Sequence, residues 1–409
     1  MLKNYFKIAI AVLRRKKFFT LISLFGISFT LTILMVLTAF VDKLVNDPYP
    51  DKKRDRSLYI TSIEETGSKS GSMNGGMMSF YFLNHYIGGM KTPVEIGLSS
   101  MSNTTNTYVN NKKIAVDYKY TNAAYWDILE YDFLEGKPYS AQQVANGNYV
   151  AVISEDARTE YFGDSKQVVG RYIEADNVSY RVIGVVKNIP KTTYSMFSDI
   201  YLPYTVSKMD YNDRSYMGNY SAILLARSKA DVSKMRDEYD QIIRRVPMER
   251  DEFDKIYSHA ESYFDGYINT NNNKVSGRTL VTLAITLFVF LLMLLPTLNL
   301  ININITRIME RSSEIGVRKA FGASARTLVY QFLVENIILT LLGGLVGVIL
   351  SFVVIQVLNN AALIANFELS LNFTVLCYGL LACLVFGLLS GVYPAWRMSR
   401  LNVVNALKG

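Results

Sequence analysis

The placement of apolar residues limits most strongly what this chain can fold into. Four runs are long and nearly free of charge: 18–41 near the amino terminus, then 280–305, 328–358 and 373–393 close together. Between the first and second lies a long stretch, 42–278, of ordinary polar composition. A helix needs about 20 apolar residues to cross the hydrocarbon of a bilayer. The run 18–41 would cover about 36 Å at 1.5 Å per residue. A secretory signal is the competing reading, but this run exceeds the roughly 7–15 residues of a signal core and no small-x-small site follows. Charge supplies direction. Arg15, Lys16 and Lys17 precede the first run, and 306–327 carries Arg307, Arg311, Arg318, Lys319 and Arg326 against Glu310 and Glu314. The segment 359–372 has Glu368 and neither Lys nor Arg. Short loops rich in Lys and Arg stay on the cytoplasmic side.

The expected fold class is therefore an α-helical membrane protein with four transmembrane helices and a large α+β domain inserted between the first and second. The expected divisions are an interfacial helix at 1–17, a first span at 18–45 and the inserted domain at 46–275. A second span at 276–305, a cytoplasmic segment at 306–327 and a third span at 328–358 follow. A short outer loop at 359–372, a fourth span at 373–396 and a cytoplasmic tail at 397–409 complete the chain.

The net charge of +8 supports this reading once it is partitioned. Residues 42–278 hold 29 Lys and Arg against 31 Asp and Glu, leaving 14 against 4 in the short segments elsewhere. A basic excess flanking spans reports orientation and contact with anionic membrane lipid, not nucleic-acid binding. Cys377 and Cys383 both fall in the last apolar run and read as small apolar filler. His85 and His259 lack metal-ligand spacing. No G-x-x-x-x-G-K-S/T phosphate loop, G-x-S-x-G elbow or H-E-x-x-H pair occurs. No catalytic, cofactor-binding or metal residue is expected in this chain.

Within 306–327, Ile308, Met309, Ser312, Ile315 and Lys319 recur at helical spacing, and Gly322-Ala323-Ser324 is a stop signal. The stretch from Met309 to Ala323, with Gln331 to Glu335 after it, resembles the cytoplasmic coupling segment of MacB/FtsX-type ABC transporter permeases. Parts of the insert (125–136, 150–163, 182–186 and 201–203) resemble the periplasmic core domain of that family. The tail, Tyr393 to Arg397 with Asn405 to Lys408, is similar to the family's carboxy-terminal signature, departing from it at Val403.

The resemblance implies a non-catalytic subunit of the inner membrane that works with a separate cytoplasmic ATPase, which binds the ATP. It implies that Met309, Arg311, Glu314, Ile315, Gly316, Arg318 and Lys319 touch that ATPase. It further implies a homodimer and a periplasmic domain of two lobes, the outer one roughly 107–204. The output would be export of an antibiotic, peptide or lipoprotein, or activation of an envelope enzyme. An efflux role would bring a periplasmic adaptor and an outer-membrane channel. Two other classes stay open: a signalling receptor with a ligand-binding ectodomain, and a membrane-anchored enzyme.

Inside the spans, Gly343-x-x-x-Gly347 and Gly387-x-x-x-Gly391 are spaced for close helix approach, and Gly343 and Gly347 should support self-association if their faces lie at a dimer interface. Asn299 and Asn302 are one turn apart and should face other helices, and Pro296 should kink its helix. Glu335 is an intramembrane carboxylate, read as a structural partner of Arg318 or Arg326. In the insert, 57–63 should be a strand and 107–120 a hairpin turning at Asn110-Asn111. Asn122 should cap a helix over 123–134. A strand at 149–153 should lead into a helix capped by Ser154, and a second hairpin should close at Asp176-Asn177. Asp231 should cap an amphipathic helix, and the Gly/Ser/Met-rich 67–78 should be a loop.

Overall fold

A computed structural model of the chain describes residues 10–11, 15, 17–46, 49–109, 112–193, 195–268, 277–310, 317, 321, 325–363, 365–371, 373–374, 376–381, 384–385 and 388. It divides into two units. One comprises 1–46, 281–363 and 368–409; the other comprises 47–280 with 364–367.

In the first unit, helix α1 spans Lys17–Asn46. Two stretches among the described residues, Thr20–Lys43 and Leu333–Asn360, are long and apolar enough to cross a membrane. The pattern along α1 is that of a lipid-embedded helix. Ile27, Leu31, Leu34 and Met35 recur at helical spacing on its buried side. Phe18, Leu21, Phe25 and Phe29 form an exposed stripe that is equally apolar. Water would not tolerate so continuous an apolar face; hydrocarbon requires it.

The second unit begins with strands β1 (Ser57–Ile60), β2 (Ile63–Thr66) and β3 (Met73–Met78). The expected loop at 67–78 is thus half strand, because β3 pairs antiparallel with β2, Ile63 opposite Gly76. A short helix α2 (Phe80–Phe82), capped by the Ser79 hydroxyl, leads to β4 (Pro93–Ser100), β5 (Asn103–Val109) and β6 (Lys112–Thr121). Strands β5 and β6 form the expected hairpin, Val109 opposite Lys112, with the turn residues themselves outside the described set.

The helix expected over 123–134 is only α3 (Ala124–Ile128). Asn122 does hold its start, Oδ1 accepting from the Tyr125 N–H at 3.1 Å. The chain then turns into β7 (Phe133–Gly136), since pairing with a distant strand outweighs local helix propensity. Helix α4 (Ala141–Ala145) carries a capping box of Ser140 and Gln143. Strand β8 (Val150–Ser154) runs into α5 (Glu155–Phe162), with the Ser154 hydroxyl accepting from the Ala157 N–H at 3.1 Å.

Strands β9 (Tyr172–Ala175) and β10 (Val178–Val186) close at Asp176 and Asn177, whose φ of 51° and 58° give the left-handed pair of a tight hairpin turn. Strands β11 (Ile200–Pro203), β12 (Met217–Gly218) and β13 (Tyr220–Ala226) follow, then α6 (Val232–Ile243), β14 (Lys255–Tyr257) and α7 (Tyr263–Ile268). Asp231 precedes α6 but caps nothing; its carboxylate accepts from the Ser228 hydroxyl instead.

The strands assemble in the order β14-β2-β3-β13-β4-β6-β11-β8-β10-β7, with β1 beside β13. Two pairs, β6/β11 and β8/β10, are parallel; the others are antiparallel. Period-2 alternation sends successive residues to opposite faces. On β13, Ala222 and Leu224 enter the larger core, while Ile223 and Leu225 enter a second core rich in tyrosine. The chain entering the unit and the chain leaving it lie near each other. Tyr59 and Glu261 exchange backbone hydrogen bonds at 2.8 and 2.9 Å.

After α7 come helix α8 (Gly277–Glu310), helical through Pro296, and α9 (Ala325–Asn360). Helix α8 therefore runs five residues beyond the second span as expected from sequence, into the coupling segment.

Candidate functional site

Among the described residues, polar or special side chains come together at the seam between α1 and α9 and in a cavity on the tyrosine-rich face of the sheet.

The seam rests on two glycines. A Cβ at Gly343 would lie 2.8 Å from both Cβ and Cγ2 of Ile27. One at Gly347 would lie 2.9 Å from the Ser28 carbonyl oxygen and 3.0 Å from Leu31 Cβ. The helices approach closely because α9 has no side chain at these two positions. Polar groups line the same seam. Thr32 Oγ1 donates to its own helix at Ser28 (2.8 Å) and lies 3.2 Å from the Gly347 carbonyl on α9. Ser351 Oγ donates to that carbonyl at 2.6 Å. Glu335, 1% exposed, shares the buried side of α9 with Asn336 and Thr340. Leu341, Leu345, Ile349 and Phe352 point outward. The buried side of the helix thus mixes polar and small residues with Ile338, Leu339 and Ile355, while its exposed side is apolar, as lipid requires. Gly379, in the last apolar run, approaches α1 as well, 3.1 Å from Met35 Sδ to its would-be Cβ.

The GxxxG pair at Gly343 and Gly347 accordingly packs within the chain. Met309, Asn299 and Asn302 lie in α8, their side chains outside the described set. Arg311, Glu314, Ile315, Gly316, Arg318, Lys319, Gly387 and Gly391 lie outside the described residues, as does the Arg326 side chain.

The cavity, of about 450 Å³, was not foreseen from sequence. It is laid across β1, β13, β4 and β6. Pairing places Ser99 opposite Ser221, their hydroxyl oxygens 3.4 Å apart. On β6, Lys119 shares a face with Thr121 and is 0% exposed. Its Nζ donates to the Ser195 carbonyl at 2.7 Å. That carbonyl is fixed by a knot next to it: Tyr125, Tyr131 and Tyr201 hydroxyls all donate to the Met196 carbonyl, at 3.2, 3.0 and 3.0 Å. Burial pulls the Lys119 amine down from 10.5 to about 7. Burial likewise pushes the Tyr59 phenol, at the cavity's other wall, far up, with the Asp51 carboxylate beside it adding to the effect. Among the described residues, no Asp or Glu lines the cavity. Sequence gave only a lysine at a polar strand position, the usual mark of a solvated face.

Comparison with known proteins now adds identity. Residues 20–242 match the MacB-like periplasmic core domain, and residues 286–403 match the FtsX-like permease C-terminal domain. The macrolide export ATP-binding/permease protein MacB of Salmonella typhimurium is 27% identical over 311 residues, covering 75% of this chain. The match spans only 46% of that relative's length. The ABC transporter permease YknZ of Bacillus subtilis is 26% identical over 70% of this chain and 68% of its own. Among solved structures, the periplasmic region of MacB from Actinobacillus actinomycetemcomitans covers 56% of this chain and 100% of its own, at 13% identity and a TM-score of 0.38. The extracellular domain of YknZ from Gram-positive bacteria covers 46% of this chain and 93% of its own, at 14% identity and a TM-score of 0.35. The chain belongs to the MacB/FtsX-type family of ABC transporter permeases.

Proposed function

We propose that this permease is the membrane subunit driven by a separate cytoplasmic ATPase, and that it turns ATP binding and hydrolysis there into motion of its periplasmic domain. The reading has four spans with both termini in the cytoplasm and a domain of two lobes outside. It works as a homodimer, and the coupling segment 306–327 meets the ATPase through Met309, Arg311, Glu314, Ile315, Gly316, Arg318 and Lys319. The output is efflux, lipoprotein extraction or activation of an envelope enzyme; efflux would recruit a periplasmic adaptor and an outer-membrane channel.

The observation that carries the reading is the seam. Helices that touch at Gly343 and Gly347, where α9 offers no side chain and those of Ile27 and Leu31 press on its backbone, cannot slide or part without losing close packing. Such a pair moves as one strut, which suits transmission of a displacement. Chain connectivity adds to this, since α1 leads at residue 47 into the α+β unit.

The test is co-purification with a P-loop ATPase and measurement of permease-dependent ATP hydrolysis. Glu314→Arg, Arg318→Glu and Gly316→Leu should each weaken both. Reversal of a charge buried in such a contact costs about 2–5 kcal/mol, or roughly 30-fold to several thousand-fold in affinity. Wild-type values in all three variants would refute coupling through this segment.

A further inference from the structure

Lys119 is an unusual residue to find on the inner side of a sheet. Lysine is almost never fully buried unless it is paired with a counter-charge. Among the described residues its ammonium has one partner, the neutral Ser195 carbonyl. An ammonium has three hydrogens to give, and the described residues of the wall around it hold hydroxyls but no carboxylate. Tyr59 and Tyr263 are the other titratable groups on that wall. Asp117, two residues back on β6, is engaged by the Thr104 hydroxyl at 2.6 Å. A methionine of similar length would sit here at less cost, since replacing buried charge by apolar volume is often neutral or stabilising. The tyrosine knot at Met196 holds the neighbouring carbonyl in place, so the site is rigid before anything enters it.

We propose that this cavity binds an amphiphile with one anionic head, a carboxylate on an apolar body, whose head supplies the counter-charge that Lys119 lacks. The volume of about 450 Å³ falls within the range of small-molecule sites. Ser99 and Ser221 stand near the head as further donors, while Met77, Met101 and Ile223 face the apolar body. A single cation balances a monoanion; a phosphate monoester, at about −1.5 to −2, would leave charge uncompensated. Ligand binding draws a proton onto Lys119 wherever the empty site holds the amine neutral. The proposal stands apart from the coupling to an ATPase.

The test uses the full chain in amphipol and isothermal titration at pH 8 with 4-phenylbutyrate, 4-phenylbutan-1-ol and 4-phenylbutylamine. The carboxylate should saturate at one per chain, at least tenfold tighter than the alcohol, with no saturable binding of the amine. Repeating the titration in two buffers of different ionisation enthalpy should reveal uptake of a proton. Lys119→Met should weaken the carboxylate at least tenfold and abolish that uptake. Ile223→Trp fills the cavity without touching the charge and should remove binding while thermal unfolding stays cooperative; it decides the matter if Lys119→Met does not fold. Equal affinity for carboxylate and alcohol, unchanged binding in either variant, or no saturation by 10 mM would overturn the proposal.

Discussion

Four glycines in the membrane unit should answer the same substitution, Gly→Ala, in three different ways. At Gly343 the new methyl would begin 2.8 Å from two atoms of Ile27, and at Gly347 2.9 Å from the Ser28 carbonyl oxygen. Carbon atoms rest about 3.5–4.0 Å apart, so α1 and α9 would have to separate by about 0.7–1.2 Å. Overpacking of this kind costs about 1–3 kcal/mol. At Gly344 the nearest atom is Leu380 Cδ2 at 3.2 Å, the free end of a flexible side chain, and the cost should stay below about 1 kcal/mol. At Gly26 nothing lies within 4 Å, and the helix gains up to about 1 kcal/mol from alanine's higher propensity. Unfolding in mixed micelles of increasing SDS content should therefore rank Gly26→Ala above wild type, Gly344→Ala close to it, and Gly343→Ala and Gly347→Ala well below. Equal shifts at all four, or stabilisation at 343 and 347, would refute the reasoning. A cross-link locates the contact independently. In a background lacking Cys377 and Cys383, Ile27→Cys with Gly343→Cys places the two Cβ atoms 2.8 Å apart, which a small parting brings to the roughly 3.5–4.5 Å of a disulfide. The bond should form within one chain. A band of dimer size alone would place the glycines between copies.

The remaining predictions concern topology, pH and a turn. Reporter fusions after Val45 and Ile364 should read as periplasmic and those after Ala323 and Leu407 as cytoplasmic; a cytoplasmic signal after Val45 would sink the four-span arrangement. Lys119, lowered from 10.5 to about 7, is protonated more in the unfolded chain between those values, so folded stability should rise with pH from about 7 toward 10.5. Relative to Lys119→Met, wild type should gain about 2 kcal/mol between pH 7 and 8.5, measured by thermal unfolding, and parallel curves for the two would contradict it. At the hairpin turn, Asn177→Gly should leave stability unchanged or higher, while Asn177→Val should cost about 1–2 kcal/mol because a β-branched residue resists positive φ. Identical denaturation midpoints for the two would show that the turn conformation is not held.

What could be read from the sequence was what local chemistry decides. The Ser154 cap, the left-handed pair at Asp176 and Asn177 and the β5/β6 hairpin each depend on a few adjacent residues. Long apolar runs were equally legible, because hydrocarbon thickness sets their length. Misread elements were settled by distant partners. The helix over 123–134 stops at Ile128 because Glu135 and Phe133 are taken by Val185 and Val186. Gly136 shows the same constraint, with φ of 68° and a would-be Cβ 2.1 Å from the Ile183 carbonyl oxygen. Met73–Met78 has a loop's composition but finds an open edge on β2. Asp231 is the local exception, its carboxylate taken by the Ser228 hydroxyl three residues back. Lys119 alternates with Tyr118 and Tyr120 as any solvent-facing residue would. Only the segment around Met196, tied down by tyrosines from three places in the chain, turns its side of the sheet into an interior.

The bridge between Tyr59 and Glu261 makes the α+β unit a loop with a clasp. The polypeptide that leaves at residue 57 is fastened to the polypeptide that returns at 261 before any of the intervening architecture is counted. An inserted module closed at its neck in this way is interchangeable. Strands beyond the clasp can be lengthened, shortened or replaced while the spacing of the two clasped segments stays fixed. Variation in the strands beyond the clasp then need not disturb the helices that carry the module, so the two parts of the chain can change at separate rates.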